Sequence, residues 1–314
     1  MNSTIRGQIY ETVRVPTTTN VIFGFLAPVF VIGALVNVIT CCGVYNIQLE
    51  SIVTKCLLYN ECVFDMLICS TVFSLLIPIK PQVGLGDHNV VICYLLKNAS
   101  LMTFLRMLMN FNIVCLALDR FWAIVYCSTY KQRRIIYLIV CYVIIILSSS
   151  VITVPSFFQV AFYENACVVT LDVLTLRAQM MLNIVIAYII PLIVVSVTGF
   201  WASRVLRKRR HTPANVSCEG SDYDRVQNTL LAITLGFGLV LAILAIIGLV
   251  MSILSILGLL DFRYDSISRM YFNSTCGVAS SLIPIIHTLV VPPLRRWYLT
   301  SFRSIYFRVI SISR

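Results

Sequence analysis

The sequence predicts an all-α fold, a bundle of seven helices that cross a membrane, and three observations lead there. Hydrophobic residues make up 59% of the 314 and charged residues only 12%, against roughly 45–50% and about 25% in soluble domains. Seven stretches are apolar and long enough to span a bilayer. The segments between them are short, leaving no room for a separate soluble domain. A water-soluble chain of this length has too little charge to cover so much apolar surface, so the bilayer supplies the missing burial.

Taken in order, the spans read Val21–Tyr45, Ile52–Ile79, Val91–Tyr126, Ile135–Val160, Met180–Ala202, Leu230–Leu260 and Tyr271–Val291. Each meets the requirement of about 20 mainly apolar residues. The third is interrupted by Lys97, Arg106, Asn110 and Asn112, and both it and the sixth exceed one bilayer thickness. The longest connection, around His211–Asp224, contains Thr-Pro-Ala-Asn and Glu-Gly-Ser-Asp and reads as a polar loop. Residues 1–20 form an N-terminal segment, 21–291 the transmembrane domain and 292–314 a short tail. The first twenty residues are polar and carry Arg6 and Arg14 without a cleavable apolar core, so the first span is expected to act as its own insertion signal. Internal repeats of the kind that build many transporters are not evident.

Basic residues set the orientation, because cytoplasmic loops keep Lys and Arg during insertion. Lys55, Arg120, Lys131, Arg133, Arg134, Arg204, Arg207, Lys208, Arg209, Arg210 and Arg225 fall on one side with the basic tail, roughly two thirds of the 24 Lys and Arg. The N-terminus is therefore predicted outside. After the seventh span, Pro292-Pro293 interrupts the helix and favours a new helical start. Leu294, Trp297, Tyr298, Phe302, Ile305, Tyr306 and Val309 recur at helical spacing, with Arg295, Arg296 and Arg303 on the other face. The pattern predicts a short amphipathic helix on the inner leaflet, drawn to anionic lipid.

A net charge of +11 raises the question of nucleic acid, but the basic residues are interleaved with hydrophobic spans, which argues against such a partner. None of the twelve cysteines stands in a CxxC arrangement, so no metal site is expected. Most lie in apolar spans; Cys93, Cys167 and Cys276 are the ones available for pairing. Ionisable groups in hydrocarbon each cost on the order of 2.5–3.5 kcal/mol and ask for a reason. Glu61 and Asp65, four apart, share one face of the second helix, and Arg106 lies deep in the third. Asn37, Asn60, Asn110 and Asn112 add interhelical hydrogen bonds to this intramembrane network. Arg106 has two readings: it neutralises one of the carboxylates, with Asp65 at comparable depth, or it faces an anionic ligand. No nucleophile stands beside a base, so no catalytic residue and no cofactor is expected.

At the inner end of the third span stands Asp119-Arg120-Phe121-Trp122-Ala123-Ile124, continuing to Tyr130. This stretch resembles the rhodopsin-like family of G-protein-coupled receptors, with Cys127-Ser128 where the family has Pro-Leu. Gly33-Ala-Leu-Val-Asn37 and Asn60-Glu-Cys-Val-Phe-Asp65 resemble its first- and second-helix signatures, at the usual 28-residue spacing from Asn37 to Asp65. Pro191 and Pro284 sit where the family kinks its fifth and seventh helices. The resemblance covers essentially residues 20–305. It implies a Cys93–Cys167 disulfide, an upper-bundle ligand pocket with Met102, Arg106 and Asn183 as candidates, and an activation switch of Asp119, Arg120, Phe121, Pro284 and His287. Departures are specific: Ile283-Pro284-Ile285-Ile286-His287 replaces Asn-Pro-x-x-Tyr, the fourth helix lacks its Trp, and the sixth lacks both Trp and Pro. Phe64–Thr71, Asp119–Tyr130 and Ile283–Arg296 look most like fish odorant receptors, although the long second outer loop and its extra cysteines are missing.

The resemblance implies a plasma-membrane receptor that binds an extracellular ligand and activates a heterotrimeric G protein. Two other readings stand beside it: a transporter or channel whose charged pathway is Glu61, Asp65, Arg106 and His287, and a receptor-shaped protein that does not signal. Topology is open to a direct test. Asn2-Ser3-Thr4 is a glycosylation acceptor predicted outside and Asn215-Val216-Ser217 one predicted inside. Glycan mapping is expected to find sugar on Asn2 and none on Asn215; the reverse result would invert the orientation.

Overall fold

Backbone N–H and C=O groups find no water in hydrocarbon, so a span has to satisfy them internally, and here it does so as helix. The computed structural model describes residues 17–48, 51–76, 90–97, 99–163, 166–169, 173–210, 221–261 and 266–312. Its helices are α1 (Thr17–Asn46), α2 (Ile52–Leu76), α3 (Ser100–Val125) and α4 (Cys127–Phe157). Helix α5 runs as Val173–Ile184, a π-helical turn Val185–Ile189, and Ile190–Arg210. It is followed by α6 (Ser221–Ile256), α7 (Ile267–Val290) and α8 (Pro292–Ile312). Residues 1–16 of the predicted N-terminal segment, Asn2 among them, fall outside the described residues, as does Asn215, while residues 17–20 belong to α1.

Three features depart from the sequence reading. The long third span is two pieces: a π-helical turn, Ile92–Lys97, and α3, separated at Ala99, whose φ of 54° and ψ of 23° lie in the left-handed region. Its surplus length beyond one bilayer folds as that separate turn. The fourth span ends early, because Val160 begins a hairpin, β1 (Val160–Tyr163) with β2 (Ala166–Val169), paired antiparallel with Phe162 opposite Cys167. The all-α expectation therefore holds for the bundle and not for this connection. Helix α4 also begins earlier than its apolar stretch, at Cys127, since only Tyr126 separates it from α3.

Among the described residues, six helices are individually long and apolar enough to cross a membrane. The last, α7, carries Arg269, Asn273, several serines and His287; it passes only together with the first part of α8, from which it bends by 98°. The chain is thus a multi-pass membrane protein, with six or seven candidate spans among the described residues. Large apolar side chains such as Ile32, Ile136, Val151, Trp201 and Leu239 face outward, as helices bathed in lipid require. Burial identifies the axis of the bundle: 78% of the apolar window of α3 is buried, against 17% for α4 and 22% for α1. Helix α3 touches α2, α4, α5 and α6, while α7 closes the ring against α1, α2 and α6.

The α1–α7 seam depends on small residues. A Cβ on Gly33 would lie 2.1 Å from Ser281 Oγ and 3.1 Å from its Cα, and one on Gly277 would lie 2.8 Å from the Phe30 ring. Close approach of this kind is how helices gain van der Waals contact in lipid, where no hydrophobic force pulls them together. Beyond the seam, Leu294 of α8 is fully buried and Trp297 and Tyr298 pack against the core, while Arg295 and Arg296 are exposed. Gly33→Val is expected to destabilise the protein by about 1–3 kcal/mol through overpacking. Gly24→Ala, on the same helix with nothing within 4 Å, should be harmless; thermal melting of the two variants in detergent checks the contrast.

Candidate functional site

At the end of α3, the Asp119 carboxylate gathers donors from two other helices. Thr54 of α2 donates to Oδ2 at 2.9 Å and Tyr130 of α4 donates to Oδ1 at 2.7 Å. Arg120 closes the cluster, with Nε 3.0 Å from Asp119 Oδ2 and Nη2 in contact with the same carboxylate and with Thr54 Oγ1. The Tyr130 hydroxyl is also 2.5 Å from Ser51 Oγ. Asp119 and Arg120 are both buried, and theirs is the one salt bridge among the described residues. Phe121 is not part of the cluster; it stands edge-on to Tyr126 at 6.3 Å.

A second polar layer lies deeper. Asn37 donates to the carbonyls of Gly33 at 3.0 Å and Ser280 at 3.1 Å, pinning α1 to α7. Asn112 of α3 donates to Glu61 Oε2 at 2.6 Å and to the Leu57 carbonyl at 2.9 Å. Asn60 exchanges hydrogen bonds with the Tyr142 hydroxyl of α4. Asp65 is fully buried, yet neither of its oxygens has a hydrogen-bond partner; the adjacent Ser280 hydroxyl turns to Met109 Sδ at 3.9 Å.

The expected Arg106–Asp65 pair is absent. Arg106 reaches Thr103 Oγ1 at 3.4 Å and Cys276 Sγ at 4.0 Å, and lies 5.3 Å from the Phe272 ring centroid. Counting residues gives depth only approximately: Arg106 meets α7 at Cys276 while Asp65 lies against it at Ser280, one turn further along. Arg106 lines a cavity of about 20 Å³, space for one or two waters, with Met107, Asn183, Tyr188, Arg269 and Phe272 among its other walls. Of the ligand candidates, Asn183 is in this wall; Met102 is not, being wholly buried in the core. Asn110 lies near the cavity and donates to the Ala187 carbonyl at 2.7 Å, within the π-helical turn of α5.

On α7, Pro284 sits inside the helix, and His287 is buried with its ring edge-on to Phe237 at 5.1 Å. Neither ring nitrogen of His287 has a partner, so the structure joins it neither to the Arg120 cluster nor to the acidic pair. Cys93 is disulfide-bonded, and nine other cysteines are free, Cys276 among them. The expected partner, Cys167, has its side chain outside the described residues, but its strand pairs with β1, which touches the turn carrying Cys93.

Sequence reasoning missed Thr54, Ser51, Tyr188 and Arg269. Thr54 and Ser51 gave no signal, since a hydroxyl near a span end is unremarkable before its neighbour is known. Arg269 precedes the apolar stretch Tyr271–Val291, but α7 begins earlier, at Ile267, and buries that residue. The geometry defines a helical membrane protein whose polar groups collect on a central helix, with a cavity nearer one end and a closed ion-pair cluster at the other. Comparison with models of known protein families and with curated proteins gives no match.

Removing one partner of a buried ion pair leaves an uncompensated charge. Asp119→Ala is therefore expected to cost about 3–5 kcal/mol, whereas Thr54→Val, which removes a neutral hydroxyl with its two hydrogen bonds, to Asp119 and from Arg120, should cost roughly 1–2 kcal/mol. Denaturation of both variants in a fixed detergent measures the difference; equal losses would mean that the cluster does not hold the helix ends together.

Proposed function

We propose that the chain is a rhodopsin-like G-protein-coupled receptor of the plasma membrane, with its N-terminus outside. A ligand from outside occupies the α3–α5–α7 cavity and shifts a two-state equilibrium of the bundle. Opening of the opposite end releases Arg120 to a heterotrimeric G protein. One observation carries the reading: Arg120 is buried against Asp119 and Thr54, at the helix end where the sequence carries its Asp-Arg motif. Such a clamp, held by side chains from α2, α3 and α4, is an element that a ligand at the far end can bias. The amphipathic face of α8, bent 98° from α7, supports a position along the inner leaflet.

A flux reading draws on a different observation, the buried carboxylates of Glu61 and Asp65 with unpartnered oxygens. Both readings are separated by one experiment in cells. If the clamp biases the bundle by about 1–2 kcal/mol, its loss raises the open population roughly 5- to 30-fold. Asp119→Asn is expected to raise basal G-protein nucleotide exchange accordingly, and Arg120→Ala to abolish it at equal surface expression. Flat exchange in both, accompanied by ion flux that Asp65→Asn removes, would replace the receptor with a transporter.

A further inference from the structure

Arg106 carries a permanent charge into the apolar interior: a guanidinium does not lose its proton in a protein, and this one is 7% exposed. Among the described residues no carboxylate lies within ion-pair distance of it. Its hydrogen bonds are long and run to neutral groups, the Thr103 hydroxyl at 3.4 Å and the Cys276 thiol at 4.0 Å. The Phe272 ring adds a contact at 5.3 Å to its centroid. Those contacts leave most of a five-donor fork unmatched in a low-dielectric setting, where a cation needs an anion or water beside it.

We infer that a single halide ion, chloride by abundance, occupies the cavity beside Arg106 and serves as its counter-ion. The size of the cavity decides the class of anion. About 20 Å³ holds one or two waters, so the space takes a monatomic ion and excludes sulfate, phosphate or any carboxylate with a hydrocarbon body. The walls agree with a negative occupant. The Asn183 amide and the Tyr188 hydroxyl border the same space and can donate to it, while Met107, Ile184 and Ala187 supply apolar surface. Among the described residues no Asp or Glu borders the cavity to repel an anion. Arg269 also lies on the wall, engaged in contacts of its own, and the site needs no charge from it. Halide binding goes beyond the receptor reading and stands without it: the ion fills the cavity in this conformation, and a larger ligand enters only by displacing it.

The test uses the purified full-length chain in phosphatidylcholine nanodiscs at constant pH and ionic strength, with chloride exchanged stepwise for gluconate. The thermal midpoint of the wild type is expected to rise with chloride along a saturable curve, as for any ligand that binds only the folded state. Bromide should reproduce the curve; gluconate and sulfate, too large for the cavity, should not. A general salt effect behaves differently, since it does not saturate and is strong with sulfate, which is excluded from protein surfaces. Arg106→Gln should weaken the apparent Kd by roughly 10- to 100-fold, the worth of charge-assisted hydrogen bonds, and Arg106→Lys by less. A midpoint indifferent to chloride, the mark of a cavity filled by water alone, overturns the inference on the wild type, whether or not the variants fold. Protection by sulfate equal to that by chloride does the same, as does an unchanged Kd in a folded Arg106→Gln. Chloride protection without G-protein nucleotide exchange leaves this site standing and refutes the receptor; raised basal exchange by Asp119→Asn in a chain indifferent to chloride does the opposite.

Discussion

Hydrocarbon offers no hydrogen bonds, so a polar side chain within a span has to find its partner on another helix or on its own backbone. In this chain that constraint falls mainly on α3. Asn112 reaches α2 through Glu61 and Leu57, Asn110 reaches α5 through Ala187, and Asp119 collects Thr54 from α2 and Tyr130 from α4. Arg106 turns to α7. One helix with polar groups on so many sides is stable only with neighbours all round it, and α3 accordingly occupies the middle. The interruptions that weaken its apolar run are the same residues that fix its place.

The outer helices follow the opposite logic. α1 and α4 present mostly apolar surface to lipid and meet the bundle along narrower seams, α1 through Gly33, Asn37 and Phe30. Loss of side-chain volume at Gly33 and Gly277 brings backbones close, and the Asn37 bond to the Ser280 carbonyl then fixes the register between α1 and α7. Polar satisfaction and close packing are thus divided between centre and rim.

Length and hydropathy made the spans legible, because a bilayer imposes one thickness on every crossing. They did not reveal the break at Ala99, the hairpin at Val160–Val169 or the π-helical turn, which depend on local backbone choices that no apolar count records. At the site, Asp119-Arg120 was readable as a motif, and its burial follows from the central position of α3. The partner of Arg106 was not readable: residue counts fix depth only to within about a turn, and Asp65 and Arg106 meet α7 a turn apart, at Ser280 and Cys276. Met102, one turn from Arg106 on the same helix, is wholly buried in the core, while Asn183, on another helix, borders the cavity.

The π-helical turn Val185–Ile189 inserts one residue into the winding of α5, and one residue of helix is about 100° of rotation. Everything beyond it is therefore clocked round relative to everything before it. The first part of α5 aims Met180, Asn183 and Ile184 at the cavity, while the second aims Ala202 and Leu206 at Ile124 and Leu231 near the other end of the bundle. A regular helix would tie those two aims together at a fixed angular offset. With the extra residue, a single continuous rod presents two faces whose phase differs from that of a regular helix by about one residue's rotation.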